Sequence, residues 1–282
     1  MIRIYPLIFI LLWSSAFITT KPIVDNSDPF AALAFRFFFV ALGFYFFSFY
    51  LNQSLITNKR KIAESVLSGV LFHGFYLGGV FYSISIGMPV GIAALIVTLQ
   101  PVLTNILSGP ILDEKITTQQ WIGVLLGFTG ASLVLGLDIG SGIPLLGLIA
   151  TIIALLSITI STIWQKKISK NLPLSVSNFY QAFGGCLFHV LIVIFFAEPY
   201  INFNKVFIIA MSHQVLLVSF GAFTILMLLI KKNSASKTVS IFFLIPSTSA
   251  LMAWFFLNEK LTNLDIVGFI VTSVGVYIAT RD

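Results

Sequence analysis

Two stretches decide the reading: Leu112-Asp113-Glu114-Lys115-Ile116-Thr117-Thr118-Gln119-Gln120-Trp121-Ile122-Gly123, and Leu257-Asn258-Glu259-Lys260-Leu261-Thr262-Asn263-Leu264-Asp265-Ile266-Val267-Gly268. They match at a constant offset of 145, so Glu114 falls on Glu259, Thr117 on Thr262 and Gly123 on Gly268. The same offset holds further out. Pro101 falls on Pro246, Gly130 on Gly275 and Lys21 on Lys166. The chain therefore reads as two copies of one unit, residues 1–137 and 146–282, joined by the linker 138–145. Self-similarity at a fixed period is the mark of a repeated architecture.

Composition sets the solvent. Of 282 residues, 58% are hydrophobic and 9% charged, with a mean hydropathy of +1.02. Soluble domains are nearer a quarter charged, so such a chain cannot cover itself with polar surface. The bilayer is its expected partner, and the +6 net charge reads as topology rather than as affinity for nucleic acid. Cys186 is the one cysteine, which excludes an intrachain disulfide and fits a small packing residue. No CxxC or His/Cys cluster has metal-ligand spacing, so neither metal nor cofactor is expected. The first apolar run, residues 4–18, competes with a signal peptide. Its partner in the duplication, around 149–163, favours a helix.

A spanning helix needs about 20 mostly apolar residues. Ten such runs are present: 4–20, 29–50, 63–86, 90–111, 118–137, 144–164, 175–197, 205–230, 238–257 and 263–280. With the N-terminus inside, the inner set of basic residues is Arg3, Lys59, Arg60, Lys61, Lys115, Lys166, Lys167, Lys170, Lys231, Lys232, Lys237 and Arg281. The outer set is Lys21, Lys205 and Lys260. This bias puts both termini in the cytoplasm. Five helices per copy is an odd number, so the second copy enters from the opposite side. The fold expected is all-α and integral to the membrane, ten transmembrane helices in two inverted five-helix repeats.

The paired hairpins carry local signals. Thr117 and Thr262 are placed as N-caps, with Gln120 and Asp265 three residues on completing capping boxes. Glu114 and Glu259 precede those helix N-termini, where negative charge is favoured. A gate or proton site is the alternative reading of the two carboxylates. Glu114, Thr117, Gly123, Glu259, Thr262 and Gly268 are taken as structural. Pro101 and Pro246 lie within the fourth helix of each copy and remove a backbone donor. They are hinge or cavity candidates, with an architectural kink as the alternative. Gly74/Gly78, Gly87/Gly91 and Gly123/Gly127 have the small-residue spacing that lets helices pack closely.

Polar residues inside spans are the binding candidates. Arg36 sits within the second helix, where a charge costs about 2.5–3.5 kcal/mol unless it faces water or a partner. It could attract a carboxylate, or snorkel to the outer interface. Gln181 holds the equivalent place in the second copy, and both should face the bundle interior. No Asp or Glu lies in the middle third of a span. His73, His189 and His213 could titrate near neutral pH or could be hydrogen-bonded packing residues. His73 shares a face with Tyr76. Gln100, Thr104 and Asn105 flank Pro101, while Trp13 and Trp164 lie in the first helix of each copy. The expected cavity lining is Trp13, Arg36, His73, Tyr76, Gln100, Trp164, Tyr180 and Gln181. Trp164 also suits an interfacial anchor.

These features together resemble the drug/metabolite transporter superfamily, in particular the bacterial ten-helix group built from two EamA domains. The residues that carry the resemblance begin with Leu11-Leu12-Trp13-Ser14-Ser15-Ala16-Phe17 and Arg36. The strongest are Leu99-Gln100-Pro101 with the first hairpin and Gly130, and Ile245-Pro246 with the second hairpin and Gly275. The resemblance implies a ten-helix basket in the cytoplasmic membrane of a prokaryote, with a central cavity between the repeats. Members of that group mostly export amino acids, metabolites or drugs, and some import. One departure stands out. Many relatives carry a Trp-Ala pair in the sixth helix, where this chain reads Leu156-Ser157-Ile158-Thr159.

The expected function is secondary transport, most simply export, of a small metabolite such as an amino acid or derivative. No GxxxxGK[ST] motif is present, so ATP is not the expected driver; protons are a candidate coupling ion. A passive facilitator, an importer or an exchanger is the alternative. An intramembrane lipid-acting enzyme would want a His/Asp or metal set at one interface, and none is seen. No catalytic residue is expected. Monomer and homodimer are both open.

Overall fold

The computed structural model describes residues 4–55, 58–135, 143–168, 172–196, 198–257 and 262–281. Glu259 and most of the linker, 138–142, lie outside the described residues. Among the described residues ten long helices follow one another. They are α1 (Tyr5–Val24), α2 (Pro29–Tyr50), α3 (Lys59–Ser85), α4, α5 (Thr118–Leu135), α6 (Leu145–Ile168), α7 (Leu174–Phe196), α8 (Lys205–Lys232), α9 and α10 (Asn263–Thr280). Helix α4 has two pieces, α4a (Val90–Val97) and α4b (Gln100–Leu112). Helix α9 runs Ala235–Ser240, turns through Ile241–Phe243 as a 3-10 segment, and continues Leu244–Leu257. Among the described residues there is no strand, only one bridge between Ser27 and Ile201.

Nine of these helices are long and apolar enough to cross a membrane. The tenth, α5, is 18 residues long and begins Thr118-Gln119-Gln120, which lowers its mean apolarity. Side chains that would be buried in a water-soluble protein face outward here. Phe38, Phe46, Phe47 and Phe49 on α2 and Phe195 and Phe196 on α7 are all exposed. A surface of that kind suits lipid, because bare hydrocarbon on this scale is not left in water.

The helices pack in pairs that relate one repeat to the other. α2 lies along α7 and α5 along α10, each helix against its own copy. α1 packs on α8 as α6 packs on α3, and α1 on α9 as α6 on α4b. The α5–α10 crossing is backbone to backbone. A Cβ on Gly123 would lie 2.6 Å from the carbonyl oxygen of Gly275, and one on Gly275 2.7 Å from that of Gly123. Only residues without side chains allow so close an approach.

Helix ends follow local chemistry. Asp28 caps α2 by accepting the Ala31 N–H at 2.7 Å. Thr117 and Gln120 exchange backbone and side-chain hydrogen bonds at 2.9 and 3.2 Å, ahead of α5. Thr262 and Asp265 form the matching box at α10. The first apolar cluster gathers Phe9, Trp13, Phe37, Phe72, Phe223 and Phe242 where the two repeats face each other. This is the floor on which the site is built.

Candidate functional site

Four irregularities interrupt the helices at mid-length, and they occur in pairs. α3 becomes a π-helix over Val70–Tyr76, and α8 does so over Gln214–Ala222. With the repeat offset of 145, these two segments overlap. α4 breaks at Thr98–Leu99 directly before Pro101, and α9 tightens into its 3-10 turn directly before Pro246. Proline removes a helical donor and crowds the preceding turn. Such breaks persist within a membrane where protein or a cavity satisfies the backbone. π segments likewise concentrate at functional sites.

The irregular segments surround one cavity system. Its wide part, about 630 Å³, is lined by Trp13, Phe17 and Lys21 of α1, Val97 and Thr98 of α4, and Ile245, Pro246 and Ser249 of α9. It runs toward the end of the bundle marked by Lys21, which pairs with Asp25 at 2.5 Å. A narrow recess of about 40 Å³ continues from it between the two π segments. Trp13, Phe17 and Tyr76 belong to both.

Arg36 projects into the recess and is 4% exposed. It does not reach for the interface. Its Nε donates to Ser219 Oγ at 2.9 Å, and its guanidinium lies 5.3 Å from the Phe37 ring centroid. No ion pair among the described residues involves it. A buried cation held by one neutral hydroxyl leaves most of its five donors for another acceptor. A planar fork of N–H groups matches a carboxylate best.

Trp13, Arg36, His73 and Tyr76 meet around the recess. His73 packs edge-on to Phe223, with ring centroids 4.6 Å apart. The other four candidates lie elsewhere. Gln100 is fully buried behind the cavity and donates to Thr162 Oγ1 at 3.0 Å. Trp164 donates to the Glu64 carbonyl at 3.3 Å, and Tyr180 to the Leu55 carbonyl at 2.6 Å. Gln181 accepts from Gln165 Nε2 at 3.0 Å and donates to Ser177. His189 donates its Nε2–H to the His73 carbonyl at 2.9 Å, one of the carbonyls of the π segment.

The EamA-like transporter family matches residues 3–136 and, a second time, 145–281. The chain belongs to that family. It is 27% identical to the uncharacterized transporter YvbV of Bacillus subtilis over 76% of this chain and 69% of that one. It is 21% identical to the probable amino-acid metabolite efflux pump of Escherichia coli, over 96% and 92%. A solved crystal structure superposes with a TM-score of 0.82 at 17% identity, covering 99% of this chain and 97% of that one. As an EamA-like protein with these helices, the chain is a multi-pass membrane transporter.

Two residues of this EamA-type cavity escape a reading by helical period. Gln214 and Ser219 are five apart, which on an α-helix places them on different faces. The π segment of α8 brings both to the recess. Gln214 donates to the Ala16 carbonyl at 3.0 Å and to Thr19 Oγ1 at 2.9 Å, tying α8 to α1 beside the cavity. His213 Nε2 lies 3.0 Å from Ser15 Oγ on the same two helices. The signal in sequence is only a polar residue within an apolar run.

Proposed function

We propose that this chain is a secondary transporter of small carboxylate-bearing metabolites, amino acids or their derivatives, in the cytoplasmic membrane of a prokaryote. Both termini would lie in the cytoplasm, as the basic residues suggest. The single observation that carries the reading is Arg36, buried at the cavity with Ser219 as its hydrogen-bond partner and no carboxylate paired to it among the described residues. A substrate carboxylate completes that arrangement, and the aromatic walls from Trp13, Phe72 and Tyr76 receive an apolar body. Apolar walls with few placed polar groups are the common form of a small-molecule site.

Movement follows from the inverted repeats. Two nearly equivalent packings expose the centre to opposite sides in turn, and a ligand shifts their populations by its differential affinity. Pro101 and Pro246 are the proposed hinges, since each follows a break in its helix. Export is the favoured direction, in keeping with the efflux relative; coupling to protons is part of the proposal. No catalytic residue has a role in it. The test is a flux screen in proteoliposomes across amino acids, nucleosides and cofactors, with the pH gradient imposed in each direction. Gradient-dependent accumulation of a carboxylate solute, lost in Arg36→Ala, is expected. Equilibration without accumulation would instead mean a facilitator.

A further inference from the structure

The stretch of α4b that follows Pro101 carries a polar stripe sealed inside the protein. Gln100, Thr104 and Ser108 succeed one another at a spacing of four and so share one face. All three are 0% exposed, and Asn105 beside them is 2% exposed. Gln100 Oε1, Thr104 Oγ1, Asn105 Nδ2 and Ser108 Oγ have no hydrogen-bond partner. Buried polar atoms are nearly always paired, so a row of four on one helix calls for a cause. Thr98, Thr151 and Thr159 each bond the carbonyl four residues back. Thr104 forgoes that bond.

The repeat supplies the cause. Residues 145 further on from Gln100, Pro101, Thr104 and Asn105 are Ile245, Pro246, Ser249 and Ala250, and all four line the wide cavity. Phe17 and Lys21 line that cavity as well. Their counterparts, Thr162 and Lys166, lie along the sealed side: Thr162 accepts from Gln100, and Lys166 Nζ donates to the Ile230 carbonyl at 3.0 Å and to the Asn233 carbonyl. The sealed stripe thus occupies, in one repeat, the place that the open cavity wall occupies in the other.

A latch holds the sealed side shut. Glu114 accepts the Ala235 N–H at 2.8 Å and the Ser236 N–H at 3.3 Å, joining the end of α4b to the start of α9. Ser236 Oγ then donates to Asn105 Oδ1. These contacts tie one repeat to the other, as does the Gln100–Thr162 bond beside them.

We infer that Gln100, Thr104, Asn105 and Thr162 line the second half of the solute path, which becomes a hydrated cavity when the Glu114 latch opens. The inference rests on the alternating-access reading above and adds to it a chemistry for each half. The open half is faced mainly by apolar side chains, among them Trp13, Phe17, Phe242 and Ile245, with Lys21, Thr98 and Ser249 as its polar members. The sealed half offers the amides and hydroxyls of Gln100, Thr104, Asn105 and Thr162, with Lys166 along its side. A solute leaving or entering by that side meets amides and hydroxyls, which suits a hydroxylated or zwitterionic metabolite and disfavours a hydrocarbon-rich one.

The test is thiol accessibility in detergent, with Cys186→Ala as background and a charged methanethiosulfonate as probe. Ser249→Cys reports the open half, and Thr104→Cys and Ser108→Cys report the sealed half separately, so failure of one variant to fold leaves the other. Ser249→Cys reacts readily. Thr104→Cys and Ser108→Cys react slowly, and at least tenfold faster once Glu114→Gln or Ser236→Ala weakens the latch. Equal rates with and without the latch, fast or slow, would overturn the inference while Ser249→Cys still labels. Labelling is independent of transport. Latch-dependent labelling without flux of any solute would sink the transport reading alone, and flux without such labelling would sink this one alone.

Discussion

Gly130 and Gly268 approach reciprocally: a Cβ on Gly130 would lie 2.6 Å from the Gly268 carbonyl oxygen, and a Cβ on Gly268 2.7 Å from that of Gly130. Each belongs to a different repeat, and the same reciprocity links Gly123 and Gly275. The α5–α10 crossing is therefore a two-fold contact with no room for a methyl group. Gly130→Ala should lower stability in detergent by about 1–3 kcal/mol, the usual cost of overpacking a tight interface. Gly109→Ala, whose Cβ would lie 3.7 Å from the Glu114 carbonyl oxygen, serves as the mild control. Equal melting temperatures for the two variants would contradict the account of this crossing.

At the recess, Arg36→Ala should abolish transport of a carboxylate solute with expression intact. Ser219→Ala should weaken it roughly tenfold or more, since a hydrogen bond to a charged group contributes about 1.5–3 kcal/mol. Initial rates across solute concentration measure both. A Ser219→Ala protein with unchanged KM would show that the Arg36–Ser219 bond at 2.9 Å does not position the guanidinium.

The prolines predict a different kinetic signature. Pro101→Ala and Pro246→Ala allow continuous hydrogen bonding through the breaks before them. Both variants should turn over more slowly with nearly unchanged KM, because the site is intact and the exchange between packings is stiffened. A raised KM at constant turnover would place the prolines in binding rather than in movement.

Tyr180 and Trp164 bond backbone carbonyls of the first repeat, at Leu55 and Glu64, away from the cavity. Tyr180→Phe should cost about 1 kcal/mol of stability and leave KM for solute unchanged. Thermal melting and flux on the same preparation separate the two effects.

Much of this was legible in sequence for plain reasons. A spanning helix is a long apolar run, and a duplication is an offset, so the helices and their pairing by repeat could be read directly. Arg36 stood out because a lone cation in an apolar run has few reasons to be there. Gln214 and Ser219 did not, because a π segment changes which residues share a face and leaves no periodic trace. Glu114 was legible as a carboxylate ahead of α5. The N–H groups it meets belong to α9 in the other repeat, a long-range contact that local sequence does not encode. The offset alone pairs Gln181 with Arg36. Gln181 hydrogen-bonds Gln165 and Ser177 in the opposite half, because an inverted repeat carries matched residues to opposite ends of the molecule.

The central claim is that the two ends open in turn, and paired spin-label distances test it most directly. One pair, at the exposed Asp25 and Leu264, spans the end marked by Lys21; the other, at the exposed Lys115 and Lys232, spans the latched end. Glu114→Gln should shorten the first distance and lengthen the second in the same sample. Two distances that stay fixed, or that change in the same direction, would contradict the account.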